Sequence, residues 1–304
     1  PAPINALLIA ERAREDGLKV LLSGAGGDDI FSGYRRHVAL THEGLWAWLP
    51  PTPRRGVATI ARALASGSGP GGLRTPWLRR VTKSLCYADY PTDRRLASYF
   101  WWSTEQLRRG LYGPALAGPL GEVDTAGPLV ESLARIPDEP DPLNRLLYLE
   151  GKHFLADHNL NYTDKMGMAA GVEVRVPLLD LDLIAMATRI PTGMKQRGRE
   201  GKAIFKRSME GLLPREVIYR GKTGFGAPIR RWLTVELRSM VEDTLAPGVL
   251  RRRGLFAPDA VARLIALDRA GRVDGAYTIF ALMSLELWCR QFLDQPLSAE
   301  AVNL

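Results

Sequence analysis

Cysteine is nearly absent from the 304-residue chain, which carries only Cys86 and Cys289. Two thiols cannot build a disulfide framework, so a reducing, cytoplasmic compartment is expected. The histidines are His37, His42, His153 and His158, with no i,i+4 spacing and no cysteine or His-Glu-x-x-His companions, which argues against a zinc site. A Gly-x-Ser-x-Gly elbow, a Walker loop and a nucleophilic cysteine context are all missing from the sequence. Long apolar runs are missing as well. The most hydrophobic stretch, near 276–292, is interrupted by Thr278, Ser284 and Glu286, so neither a signal peptide nor a membrane span is expected.

What is present is an ordinary globular composition, 46% hydrophobic and 24% charged, with a basic excess of +8. That excess favours anionic partners. It is spread over short clusters at Arg35-Arg36, Arg54-Arg55, Arg230-Arg231 and Arg251-Arg252-Arg253, without a basic repeat, which favours a small anion over nucleic acid.

The most informative stretch runs from Leu18 to Arg36. Val20 to Leu22 reads as a strand, Ser23-Gly24-Ala25-Gly26-Gly27 as a tight turn, and a helix is expected over Asp28 to Leu40. Glycines at a strand end let backbone approach a ligand closely, and the amides at a helix N-terminus can seat an anion. Asp28 and Asp29 would repel a phosphate unless a divalent cation such as Mg²⁺ bridges them. Alternatively, the two aspartates simply favour a first helical turn through its dipole.

Elsewhere, Ile4, Leu7 and Leu8 predict a helix over 4–16 that stops at Gly17, and Asp141-Pro142 marks another helix start. Residues 83–109 suggest core or interface helices, whereas Ser66 to Gly72 reads as a mobile loop and Gly110 to Pro140 as irregular connection. Val172, Val174 and Val176 alternate in an extended segment, placing Glu173 and Arg175 together on the opposite face, where mutual pairing is the simpler expectation. Asp164 and Lys165 precede Met-Gly-Met, and sequence assigns them no role. Lys202 opens a helix whose dipole disfavours it, so an anion is expected opposite. Strands are too few for a complete sheet, which suggests the latter part of a longer α/β protein or strands supplied by another chain.

Four blocks together carry a family resemblance. They are Leu22-Ser-Gly-Ala-Gly-Gly-Asp-Asp-Ile-Phe-Ser-Gly-Tyr34; Asp164-Lys-Met-Gly-Met168 with Glu173-Val-Arg-Val-Pro-Leu-Leu-Asp180; Gly201-Lys-Ala-Ile-Phe-Lys-Arg207 with Leu212-Leu213-Pro214; and Arg220-x-Lys-Thr-Gly-Phe225 with Pro228 and Trp232. In this order they resemble the synthetase domain of the glutamine-dependent asparagine synthetase family. The resemblance implies an α/β fold, adenine-nucleotide alpha-hydrolase-like (HUP/PP-loop ATP pyrophosphatase), truncated and mostly helical over residues 1–304. It implies that ATP activates a carboxylate as an acyl-adenylate with release of pyrophosphate, and that ammonia then forms the amide. Ser23 and Gly24, with Gly26 and Gly27 in the same turn, would contact the nucleotide. Asp28 would hold Mg²⁺, and Lys202 would stabilise charge on the α-phosphate and pyrophosphate.

The family's upstream Ser-Gly-Gly-x-Asp-Ser loop and N-terminal glutaminase cysteine are not in these residues, so the chain alone is expected to bind ATP poorly and hydrolyse no glutamine. The expected partners are a small-molecule carboxylate, a glutaminase domain supplying ammonia, and a second copy of the chain in a homodimer, but no nucleic acid and no membrane. Many relatives carry an acidic residue where Ala25 stands. Alanine is neither acid nor base, so either Asp29 serves instead or the acceptor is not aspartate, for example a sugar acid, a peptide or a β-lactam precursor. A non-catalytic partner-binding fragment is the remaining alternative, and Asp28, Lys202 and the intact turn argue against it.

Overall fold

The computed structural model describes residues 2–65, 76–221 and 228–295. The Gly-rich stretch Ser66 to Gly72 and the turn Lys222 to Phe225 therefore lie outside the described residues. The chain divides into two compact units, one of Pro1–Pro50, Tyr90–Tyr99 and Ala126–Ala227, the other of Pro51–Asp89, Phe100–Thr125 and Pro228–Leu304.

In the first unit the strands β1 (Val20–Leu22) and β2 (Glu173–Arg175) pair in parallel, Val20 opposite Glu173 and Leu22 opposite Arg175. The helices Ala2–Glu15 and Asn161–Ala169 pack on each other beside this pair, burying Ala10, Ala13 and Val172 together. Gly17 ends the first helix in left-handed backbone, φ 77°, which glycine adopts without a Cβ clash. A Cβ at Gly167 would lie 2.8 Å from the Val172 carbonyl, so glycine lets the second helix run directly into β2. As the valine alternation predicts, Val172 is buried while Glu173 and Arg175 are exposed and pair at 2.9 Å.

Asp141 caps the helix Pro142–Leu149, accepting from the Leu143 amide at 2.7 Å. This helix buries Leu143, Leu146, Leu147 and Leu149 against the helices Thr92–Ser98 and Gly127–Leu133. It continues as a π-helix over Glu150–Leu160 and then as the α-helix Asn161–Ala169. In the second unit the helix Ala276–Phe292 packs on Ile229–Thr234, Arg238–Thr244 and Pro258–Arg269, with Val241, Val261, Leu264 and Ile279 at the centre.

Two sequence expectations are corrected. The helix expected from Asp28 to Leu40 is broken into Gly27–Ile30 and Arg35–Thr41, because Ser32 takes left-handed backbone with φ 66° between them. Gly110 to Pro140 is also more regular than expected: it holds the helices Pro114–Gly121 and Gly127–Leu133, each with proline in the first turn, where the missing amide costs nothing. Among the described residues no helix is long and apolar enough to cross a membrane.

Candidate active site

The site begins where β1 ends. The Ser23 amide donates to the Arg175 carbonyl at 2.8 Å, adding one more rung beyond β1, and its hydroxyl accepts from the Ala25 amide at 3.2 Å. Ser23 is half-buried and Gly24 exposed, whereas Gly26 and Gly27 are buried beneath the turn Pro177–Leu179. A Cβ on Gly26 would sit 2.3 Å from Leu179, and one on Gly27 would sit 2.9 Å from Leu178. Close packing between the two motifs thus demands Gly26 and Gly27, and Ser23 and Gly24 lie toward solvent.

The chain then turns through Gly27–Ile30, four residues, too short to build the helix dipole expected there. Asp28 instead faces Lys202, whose Nζ lies 3.0 Å from the carboxylate. This is the anion that the position of Lys202 called for. The two residues are 174 apart in sequence and both are partly open to solvent, with side chains 31% and 24% exposed. The Asp28 carboxylate packs on Gly33, where a Cβ would lie 1.9 Å from Oδ1. Among the described residues no group of three or more His, Cys, Asp or Glu side chains could cage a metal.

Asp29 points the other way. It is 1% exposed, and Tyr34 Oη lies 3.2 Å from both of its oxygens, donating to the carboxylate. Burial first, and then the charge of Glu150, pushes its carboxyl up to about 6. Asn159 Nδ2 donates to Tyr34 Oη at 3.0 Å, and the neighbouring His158 reaches Asn159 Oδ1 at 3.0 Å. Beside this chain Glu150, fully buried, takes a two-pronged ion pair from Arg36. The Arg36 guanidinium lies over the rings of Tyr34 and Phe154, 4.4 Å and 4.3 Å from their centroids. The Tyr34 amide donates to His37 Nδ1, so Nε2 carries the proton and donates to Glu150 at 3.1 Å. Burial lowers the His37 pKa, keeping the ring neutral.

The asparagine synthase family model matches residues 1–290. The chain belongs to the asparagine synthase family. Its relatives include putative glutamine-hydrolyzing asparagine synthetases of Mycobacterium bovis and Mycobacterium tuberculosis, 29% identical over 97% of this chain and 42% of theirs. Asparagine synthetase [glutamine-hydrolyzing] 1 of Bacillus subtilis is 25% identical over 95% of this chain and 43% of its own. The chain thus spans less than half the length of these relatives. No solved structure gives a significant match.

Within this member of the family, Asp28 and Lys202, the two charged residues that the motifs single out, meet. The motifs assign nothing to Tyr34, Arg36, Glu150 or Asn159, although Tyr34 stands inside the first of them. Arg36, part of one of the basic clusters in sequence, is committed to Glu150, as Arg230 is to Asp274 and Arg253 to Glu286. Each of these three clusters therefore contributes at least one arginine to an ion pair. The Arg36–Glu150 pair is separated by 114 residues and depends on a π-helix, which leaves no periodicity in sequence.

Proposed function

We propose that the protein containing this chain forms an amide from a carboxylate at the expense of ATP, on an adenine-nucleotide alpha-hydrolase-like (HUP/PP-loop) scaffold to which residues 1–304 contribute the latter part. The carboxylate oxygen attacks the α-phosphorus, the bond to the β-phosphate breaks, and pyrophosphate leaves. Ammonia supplied by a glutaminase domain then attacks the acyl carbon of the mixed anhydride, and AMP departs with the acyl C–O bond. The Asp28–Lys202 pair carries this reading: a carboxylate and an ammonium meet at 3.0 Å beside a glycine turn.

Lys202 supports the reading as a cation for charge developing on the leaving diphosphate. Asp28 is a hard oxygen donor of the kind Mg²⁺ takes, and one protein carboxylate suffices when phosphates supply the remaining ligands. When bound there, Mg²⁺ would neutralise phosphate charge. Ser23 and Gly24, the accessible half of the turn, would contact the nucleotide. The four-residue helix and the cation opposite it together make Lys202, not a helix dipole, the main positive charge at this position.

A non-aspartate acceptor is favoured by Ala25 together with the burial of Asp29. Position 25 offers no acid or base, and the Asp29 carboxyl is enclosed under Tyr34. Asp29 in this reading anchors the turn and does not touch substrate. The test is product analysis with α-labelled ATP, glutamine and a panel of carboxylic acids, using the protein at its natural length. Acid-dependent AMP and pyrophosphate are expected, and acid-dependent ADP would refute cleavage at the α-phosphate.

A further inference from the structure

Two non-glycine residues among those described take left-handed backbone, Ser32 at φ 66° and Lys202 at φ 56°, and they lie against each other. L-residues disfavour this region, so each needs surroundings that fix it. The Lys202 amide donates to the Phe31 carbonyl at 3.0 Å. Gly201 approaches so closely that a Cβ would fall 2.1 Å from the Ser32 carbonyl oxygen. Phe31 and Phe205 stack face to face with centroids 5.1 Å apart, closing the same contact from the other side.

One side-chain bond spans this junction. Ser32, with no solvent exposure, donates its hydroxyl to Gln196 Oε1 at 2.8 Å across 164 residues of sequence. Gln196 is itself buried, and its Nε2 donates to the Gly198 carbonyl at 2.7 Å. The loop it braces closes through Arg197 and Glu200, whose amides and carbonyls exchange bonds at 2.8 and 2.9 Å, and delivers Lys202 immediately afterwards. A serine in a right-handed turn would carry the Phe31 and Ser32 carbonyls away from Gly201 and Lys202.

We propose that Ser32 and Gln196 are positioning residues for Lys202. Their buried hydroxyl–amide bond locks the left-handed turn after Asp28 to the loop before Lys202, and so holds the ammonium against the Asp28 carboxylate. The consequence for catalysis rests on the ligase reading above; the effect on Lys202 does not.

The test is competitive acetylation with acetic anhydride of the protein at its natural length, with Lys202 scored by peptide mass spectrometry against exposed Lys165 in the same molecule. Ser32→Gly removes the hydroxyl but tolerates the backbone, so it should fold; Ser32→Ala and Gln196→Leu remove either partner. Each should raise Lys202 labelling severalfold relative to Lys165, and the double variant Ser32→Ala/Gln196→Leu should equal Gln196→Leu, because that single variant has already lost the Ser32 bond together with the one to Gly198. In acid-dependent exchange of pyrophosphate into ATP, with enzyme concentration corrected for the folded fraction by circular dichroism, Ser32→Gly should lower kcat about tenfold while changing KM for ATP less than twofold, as loss of an interaction made only in the transition state requires. Unchanged Lys202 labelling in folded Ser32→Gly and Gln196→Leu overturns the proposal. If labelling responds as expected but the wild-type protein catalyses no exchange and Mg·ATP does not shield Lys202, the positioning role stands and the ligase reading fails.

Discussion

Gly33 bears no side chain, yet the Asp28 carboxylate depends on it. A methyl group there would sit 1.9 Å from Oδ1, inside any tolerable contact, so Gly33→Ala must push the carboxylate away from Lys202. Titration calorimetry of the protein at its natural length with Mg·ATP should find binding weakened about tenfold in Gly33→Ala while circular dichroism remains native. Lys202→Ala should lower the rate of acid-dependent AMP formation by about 10²–10³, the scale for losing one preorganised charge at a developing anion. Lys202→Arg should rescue little, since a planar fork cannot replace a point charge in a left-handed, tightly held position. Sequence pattern made Asp28 and Lys202 legible through their motifs and through the odd placement of a lysine at a helix start. It could not give Ser32 or Gln196, because a serine's φ and a partner 164 residues away leave no local trace.

The helix Arg35–Thr41 and the π-helix Glu150–Leu160 are joined at the level of elements by the Arg36–Glu150 ion pair and by a hydrogen bond from the neutral His37 ring to the same carboxylate. Truncating one member of a buried pair strands the other, so Glu150→Ala should cost about 3–5 kcal/mol in urea unfolding. In the second unit Arg62 grips Asp89 through two bonds of 2.9 Å and holds its carboxyl below the usual carboxylate range. The unfolded chain therefore binds the proton first as pH falls. The pair's contribution should be full above pH about 4 and lost as pH drops through the folded pKa. Asp89→Ala should cost about 1–3 kcal/mol at pH 7 and progressively less as the pH falls below about 4, read from denaturation midpoints. Elements with strong caps or periodicity were legible: Asp141 starts its helix, Gly17 stops another, and the valines of 172–176 face inward. The expected helix over 28–40 failed because its interruption at Ser32 answers to Gly201 and Lys202, a tertiary demand that overrides local propensity.

Over the whole molecule, the interleaving of the two units explains why no linker in the sequence marked a boundary: the chain passes between them at several points. The basic clusters are in part ion-paired, with arginines 36, 230 and 253 facing Glu150, Asp274 and Glu286, which leaves the net excess of +8 to be carried by other residues. Membership in the asparagine synthase family rests on the match over residues 1–290, and two of the motifs read in the sequence meet within the first unit, at Asp28 and Lys202. The most direct measurement is acid-dependent ATP–pyrophosphate exchange by the protein at its natural length, comparing wild type with Asp28→Ala and Lys202→Ala. The wild-type protein should exchange with at least one carboxylic acid, and each substitution should reduce that exchange a hundredfold or more. Exchange that survives both substitutions would contradict a reaction centred on this carboxylate–ammonium pair.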